Sequence, residues 1–178
     1  MMKLTIGSEA VFFIALIMAY LFFWRSGNFE AKVLEHLRIQ STALFTCFLT
    51  GSSFTFLLAE RSHKKENYGL MKFWLLLTIL LAIIFLGGQG QEYFRLINKH
   101  ITISQGEFGS SFFALTGFHG LHVLIGIILL SVVLGLSFAG HFKNRPTSVI
   151  STIGIYWHFV DIVWLIVFTV IYLLPYIL

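Results

Sequence analysis

Two histidines, His119 and His122, sit three residues apart inside a run from Phe108 to Leu130 that is otherwise apolar or small. On a helix that spacing puts both imidazoles on one face. Imidazoles so placed can share a metal, and His158 and Asp161, also three apart, could complete a site from a second helix. A haem held by His119 or His122 together with His158 is a related reading. The same side chains could instead hydrogen-bond between helices or meet lipid headgroups, and His158 and Asp161 could satisfy each other on one face. Glu9 lies about one turn into another apolar run. A carboxyl there could relay protons, contact a partner subunit, or simply bond to a neighbouring helix. Gln89 and Glu92 share a face with Arg95 three residues beyond. Glu92 and Arg95 can form a helix-end ion pair worth a few tenths of a kcal/mol, and the group could also be a subunit contact.

The surroundings of these polar residues are unusual for a soluble chain. Of 178 residues, 57% are hydrophobic and only 11% charged, with 20 phenylalanines, and the mean hydropathy is +0.86. Soluble domains carry about 25% charged residues, so lipid is the expected solvent. The single cysteine, Cys47, excludes an internal disulfide and a cysteine-based metal cluster within the chain. A net charge of +4 is no sign of nucleic-acid binding, because the basic residues fall in the connections, as membrane topology requires. There is no nucleotide-binding loop, no nucleophile with its base and no paired-carboxylate active site.

The elements that must position the polar residues read as five membrane-spanning helices in one all-α domain over 1–178, with spans near 4–24, 39–58, 70–97, 108–139 and 148–174. The first, flanked by Lys3 and Arg25, lacks a cleavage site and is read as a retained helix. An amphipathic connection is expected from Arg25 to Arg38. The second span carries Ala43, Cys47, Gly51, Thr55 and Ala59 at every fourth place, a stripe that permits close helix approach in lipid. Its hydroxyls, among them Thr42, Thr46, Thr50, Ser52 and Ser53, can bond back to their own helix. A hydrophilic turn is expected from Glu60 to Asn67, a loosening of the third helix at Gly87–Gly90, and an end to the fifth at Pro175. Gly117, Gly120 and Gly126 thin the fourth helix for a neighbour. Trp157 is expected near one membrane edge, and Tyr172 or Tyr176 near the other. His36, His63, His100 and His141 fall in connections and need no special role.

Seven basic residues fall on one side (Lys3, Arg61, Lys64, Lys65, Lys72, Lys143, Arg145) and five on the other (Arg25, Lys32, Arg38, Arg95, Lys99). The excess favours the N-terminus inside and the C-terminus outside. Lys64, Lys65 and Lys72 could also attract anionic headgroups.

Four stretches together resemble a known family. Gly109-Ser110-Ser111-Phe112-Phe113 leading to Thr116-Gly117-Phe118-His119-Gly120-Leu121-His122-Val123 is similar to the signature of subunit III of haem-copper terminal oxidases. Tyr156-Trp157-His158-Phe159-Val160-Asp161-Ile162-Val163-Trp164 is a second long match; Ser8-Glu9 with Phe12-Phe13, and Gln89 with Glu92-Tyr93, are shorter ones. They occur in the family's order. The resemblance implies a short, five-helix bacterial form that begins at the third helix of longer members. It implies a non-catalytic subunit of a proton-pumping cytochrome c or quinol oxidase, packed on subunit I, with subunit II and a small subunit IV nearby. Haems and copper are then expected in those partners and no cofactor or metal in this chain, with bound phospholipid alongside. Glu9 matches the family's carbodiimide-reactive glutamate, linked with proton uptake. Gln89, Glu92, His119, His122, Trp157, His158 and Asp161 become interface or lipid-contact candidates. The expected location is the bacterial plasma membrane, N-terminus cytoplasmic. An accessory subunit of a nitric oxide reductase, which shares this fold, and a small membrane haem-b electron-transfer protein are the alternatives.

Overall fold

A computed structural model describes residues 2–25, 38–99, 107–140, 142 and 148–177. Residues 26–37 of the expected connection, with His36, and also His100, His141, Lys143 and Arg145, lie outside them, as does the side chain of Tyr176. The described elements are α1 (Met2–Arg25), α2 (Ile39–Lys64), α3 (Tyr68–Asn98), α4 (Glu107–Phe138), α5 (Ser148–Phe168), a π-helical stretch (Thr169–Leu173) and α6 (Leu174–Ile177). Among the described residues, five helices are long and apolar enough to cross a membrane. Helix is the expected state because each backbone N–H and C=O in lipid must find a partner within its own segment.

α2, α3, α4 and α5 close into a ring, each touching the next and α5 returning to α2; α1 lies outside it, against α4 and α5. The ring's interior is aromatic, with Phe56, Phe85, Phe112, Trp157 and Trp164 all fully buried. Glycines seat several of these rings. A Cβ on Gly126 would stand 2.5 Å from the Trp157 indole, one on Gly154 2.6 Å from Phe56, and one on Gly88 would overlap Phe45. The small-residue stripe of α2 packs on α3 in its C-terminal half, where Thr55 and Thr78 share a hydrogen bond of 2.8 Å. Cys47, nearer the start of the stripe, is exposed.

Three boundaries differ from expectation. α2 does not stop at Leu58 but runs to Lys64, because Glu60 reaches Lys64 at 3.1 Å along the helix and bonds to Ser151 of α5 at 2.7 Å. The turn shrinks to Lys65–Asn67. There Glu66 N–H donates to His63 O and Asn67 N–H to Ser62 O, a Schellman arrangement with Glu66 in the left-handed region at φ 58°. Asn67 then caps α3 by accepting from the Leu70 N–H at 3.1 Å. α3 is continuous through Gly87–Gly90: breaking the backbone ladder in lipid costs more than glycine's weak helix propensity. Helical geometry also continues past Pro175. Thr169–Leu173 widens into π geometry instead, and the Leu174 N–H bonds Thr169 O. A wider turn accommodates a residue that lacks an N–H and crowds the preceding carbonyls.

Candidate functional site

α1 and α4 bring the site together. Glu9 Oε2 lies 3.1 Å from His122 Nε2, so the carboxyl is not alone in its span. The other ring nitrogen, Nδ1, meets Phe118 O one turn back at 2.7 Å; the backbone carbonyl accepts there, which leaves Nε2 to accept a proton from Glu9 while the ring is neutral. Phe13 stands edge-on to the imidazole with centroids 5.1 Å apart, and the Tyr156 hydroxyl donates to His122 O at 3.1 Å. The helices α1, α4 and α5 are thus joined at one level by a single histidine. The Glu9 side chain keeps 33% of its surface exposed and that of His122 12%. The pair therefore borders the lipid-facing flank and is not sealed in the ring.

His119, on the same helix, is turned the other way. It is fully buried, stacked on Trp164 at 4.7 Å with Phe85 edge-on, and neither ring nitrogen has a hydrogen-bond partner. A spacing of three leaves about 60° between two side chains, enough for α1 to take one and the ring interior the other. His158 faces α2, its Nδ1 3.3 Å from Ser53 Oγ. The histidines thus meet different helices, and among the described residues no three of His, Cys, Asp and Glu gather as a metal-binding group. The shared-metal arrangement that the spacing allows does not form among them.

Several residues expected at an interface or in lipid lie inside the bundle. Trp157 is buried in the bundle core, where Gly126 opens α4 to receive it, and its indole donates to Ser52 Oγ at 3.2 Å. Tyr172 is buried as well. His119, Glu92 and Asp161 are likewise enclosed, so their contacts are with this chain's own helices. Glu92 forms the expected ion pair with Arg95 at 2.7 Å and also accepts the Arg38 N–H at 3.4 Å, tying the start of α2 to the end of α3. Gln89 donates to Thr116 O at 2.7 Å, and Tyr93 and Thr116 hydroxyls meet at 2.7 Å. The Gln89 carboxamide closes against Gly120, where a Cβ would stand 3.1 Å from Oε1. His158 and Asp161 do not bond to each other; both turn to Ser53. His63 belongs to α2, not to a connection, and is buried between Tyr68 and Phe142.

Spacing alone missed the partners contributed by α2. Its hydroxyls take different roles. Thr42 and Thr50 bond back to their own carbonyls. Thr46 and Ser52 do so and also accept the indoles of Trp164 and Trp157. Ser53 turns to α5. The signal was present as a density of Ser and Thr in an apolar span.

Known proteins resemble this chain along most of its length. The model of the family Cytochrome c oxidase subunit III matches residues 1–176. A protein of Mycobacterium leprae named "Probable cytochrome c oxidase subunit 3" is 34% identical over 167 residues, covering 94% of this chain and 83% of that relative. A "Cytochrome c oxidase subunit 3" of Synechocystis sp. is 35% identical over 171 residues, 94% of this chain and 71% of the relative. A "Probable quinol oxidase subunit 3" of Staphylococcus haemolyticus is 33% identical over 151 residues, 83% and 74% of the two chains. A match along nearly the whole length, to relatives about a third identical and on a bundle of membrane-spanning helices, settles the family: this chain belongs to cytochrome c oxidase subunit III.

Proposed function

We propose that this chain is the non-catalytic subunit III of a proton-pumping haem-copper terminal oxidase. It packs on subunit I, with subunit II and a small subunit IV in the same complex, and it stabilises subunit I during turnover. Haems and copper belong to those partners. Relatives named for cytochrome c and for quinol oxidases both support this class of complex. The complex lies in the bacterial plasma membrane with the N-terminus in the cytoplasm, in keeping with the basic excess on that side.

The observation that carries the role in proton supply is the Glu9–His122 contact at 3.1 Å. A carboxyl and an imidazole in hydrogen-bond reach can pass a proton between them. This pair stands partly open at the flank of the bundle, where a partner subunit can receive the proton, and not inside a sealed core.

Glu9→Gln keeps the size of the side chain and a hydrogen-bond donor to His122 but removes the exchangeable charge. In the intact complex it should leave haem content unchanged and lower turnover or proton delivery modestly, read by oxygen consumption and proton-uptake kinetics. Loss of all oxidase haem in this variant would sink the reading, because Glu9 would then be tied to assembly of the catalytic centre.

A further inference from the structure

A second proton-bearing group lies away from Glu9, in the seam between α2 and α5. Asp161 is buried at 6% exposure, and its Oδ1 has no hydrogen-bond partner. The carboxyl faces the Ser53 hydroxyl of α2. The same hydroxyl stands 3.3 Å from His158 Nδ1, and His158 Nε2 also lacks a partner. An ionised carboxylate with an unpaired oxygen in this setting would be costly. A neutral acid donating to Ser53 avoids that cost. Ser53 has the hydroxyl chemistry of a relay, one proton to give and lone pairs to receive another.

From these contacts we infer that Asp161, Ser53 and His158 form a proton relay inside the bundle, open to the aqueous phase at Glu60. The step balances within the three groups. The Asp161 O–H proton passes to Ser53 Oγ as the Ser53 proton passes to His158 Nδ1, leaving a transient carboxylate–imidazolium pair with no change in net charge, the adjacent opposite charges offsetting part of the cost of ionising Asp161. His158 is within electrostatic reach of both Asp161 and Glu60. Glu60 sits at the end of α2, bonded to Ser151 at 2.7 Å and Lys64 at 3.1 Å. Its side chain is 17% exposed and that of Lys64 58%, so this end is where protons enter or leave. The helices on either side are held in register. The indoles of Trp157 and Trp164 donate to Ser52 and Thr46 at 3.2 and 3.0 Å, and Phe56 packs edge-on to the His158 ring. Along α5, Ser151 to Asp161 rises about 15 Å, half of a hydrocarbon core of about 30 Å. The three groups therefore lie between the Glu60 end of the seam and mid-depth.

The test is infrared spectroscopy of the full chain in lipid bilayers during exchange from H2O to D2O. A protonated-carboxyl band that disappears in Asp161→Asn should be present and should shift promptly in D2O. Ser53→Ala should slow that shift by about tenfold or more, the scale of one lost hydrogen bond. Ser53→Thr, which restores the hydroxyl, should recover it. Thermal unfolding of each variant distinguishes slow exchange in a folded bundle from loss of the fold. No protonated-carboxyl band at Asp161, a band indifferent to D2O, or exchange in folded Ser53→Ala at the original rate would each overturn the relay.

Discussion

At the scale of single residues, polar side chains in this bundle act by choosing a neighbouring helix. His119 and His122 differ by three positions and have opposite environments: one enclosed by Trp164 and Phe85, the other in contact with Glu9 of α1. Sequence spacing put them on one face, and only the positions of α1 and α5 separate them. Glycines divide in the same way. Gly126 lies under the Trp157 indole, where an added Cβ would be 2.5 Å away, whereas Gly135, further along α4, has nothing within 4 Å. The two Gly→Ala substitutions should therefore have opposite signs. Gly126→Ala should destabilise by about 1–3 kcal/mol, because a fully buried indole cannot yield without strain. Gly135→Ala should be neutral or stabilise by up to about 1 kcal/mol, from helix propensity alone. Thermal or steric-trap unfolding in detergent reads both, and equal effects would show that the Trp157 seat does not govern the packing.

At the scale of elements, spans were legible and their ends were not. Apolar length alone gives five membrane-long helices, since that pattern depends only on the bilayer. The ends depend on specific partners: Ser151 and Lys64 for Glu60, the Thr169 carbonyl for the geometry before Pro175, Leu70 for Asn67. Only Glu60–Lys64, at i,i+4, and the Asn67 cap leave a trace in sequence, and neither fixes an end by itself; the Ser151 and Thr169 partners leave none. The most exposed consequence is the turn between α2 and α3, where Glu66 holds a left-handed backbone at φ 58°. Glycine adopts that conformation without the Cβ crowding of an L side chain, which costs about 1–2 kcal/mol. Glu66→Gly should therefore raise stability by about 1 kcal/mol and leave the helix limits unchanged, and its carboxylate has no partner among the described contacts to offset the gain. A fall in the unfolding midpoint would mean that the Schellman turn is not the conformation populated in the folded chain.

For the whole molecule, the ring of α2 to α5 is self-sufficient in its aromatic core, and α1 is the least buried of the spans. α1 is also the helix that carries Glu9, so the residue proposed for proton supply rides on the element with most surface left for lipid or a partner. The candidate residues could be named because the motifs quote them in order; their geometry could not, because which helix receives each side chain depends on how α1 and α2 to α5 pack. Orientation decides what that geometry serves. The basic excess predicts that the α2–α3 turn, with Lys64 and Lys65 beyond Arg61, faces the cytoplasm. That would place Glu60 and the mouth of the α2–α5 seam on the side from which an oxidase draws its protons. Cys47 is the only cysteine, so a Cys47→Ser background accepts a single reporter. Lys65→Cys, at an exposed turn position, should react with a membrane-impermeant maleimide in inverted vesicles and resist it in right-side-out spheroplasts. Labelling from the outer face would reverse the bundle and put both Glu60 and Glu9, which lies near the same end of the bundle, on the wrong side for proton uptake from within.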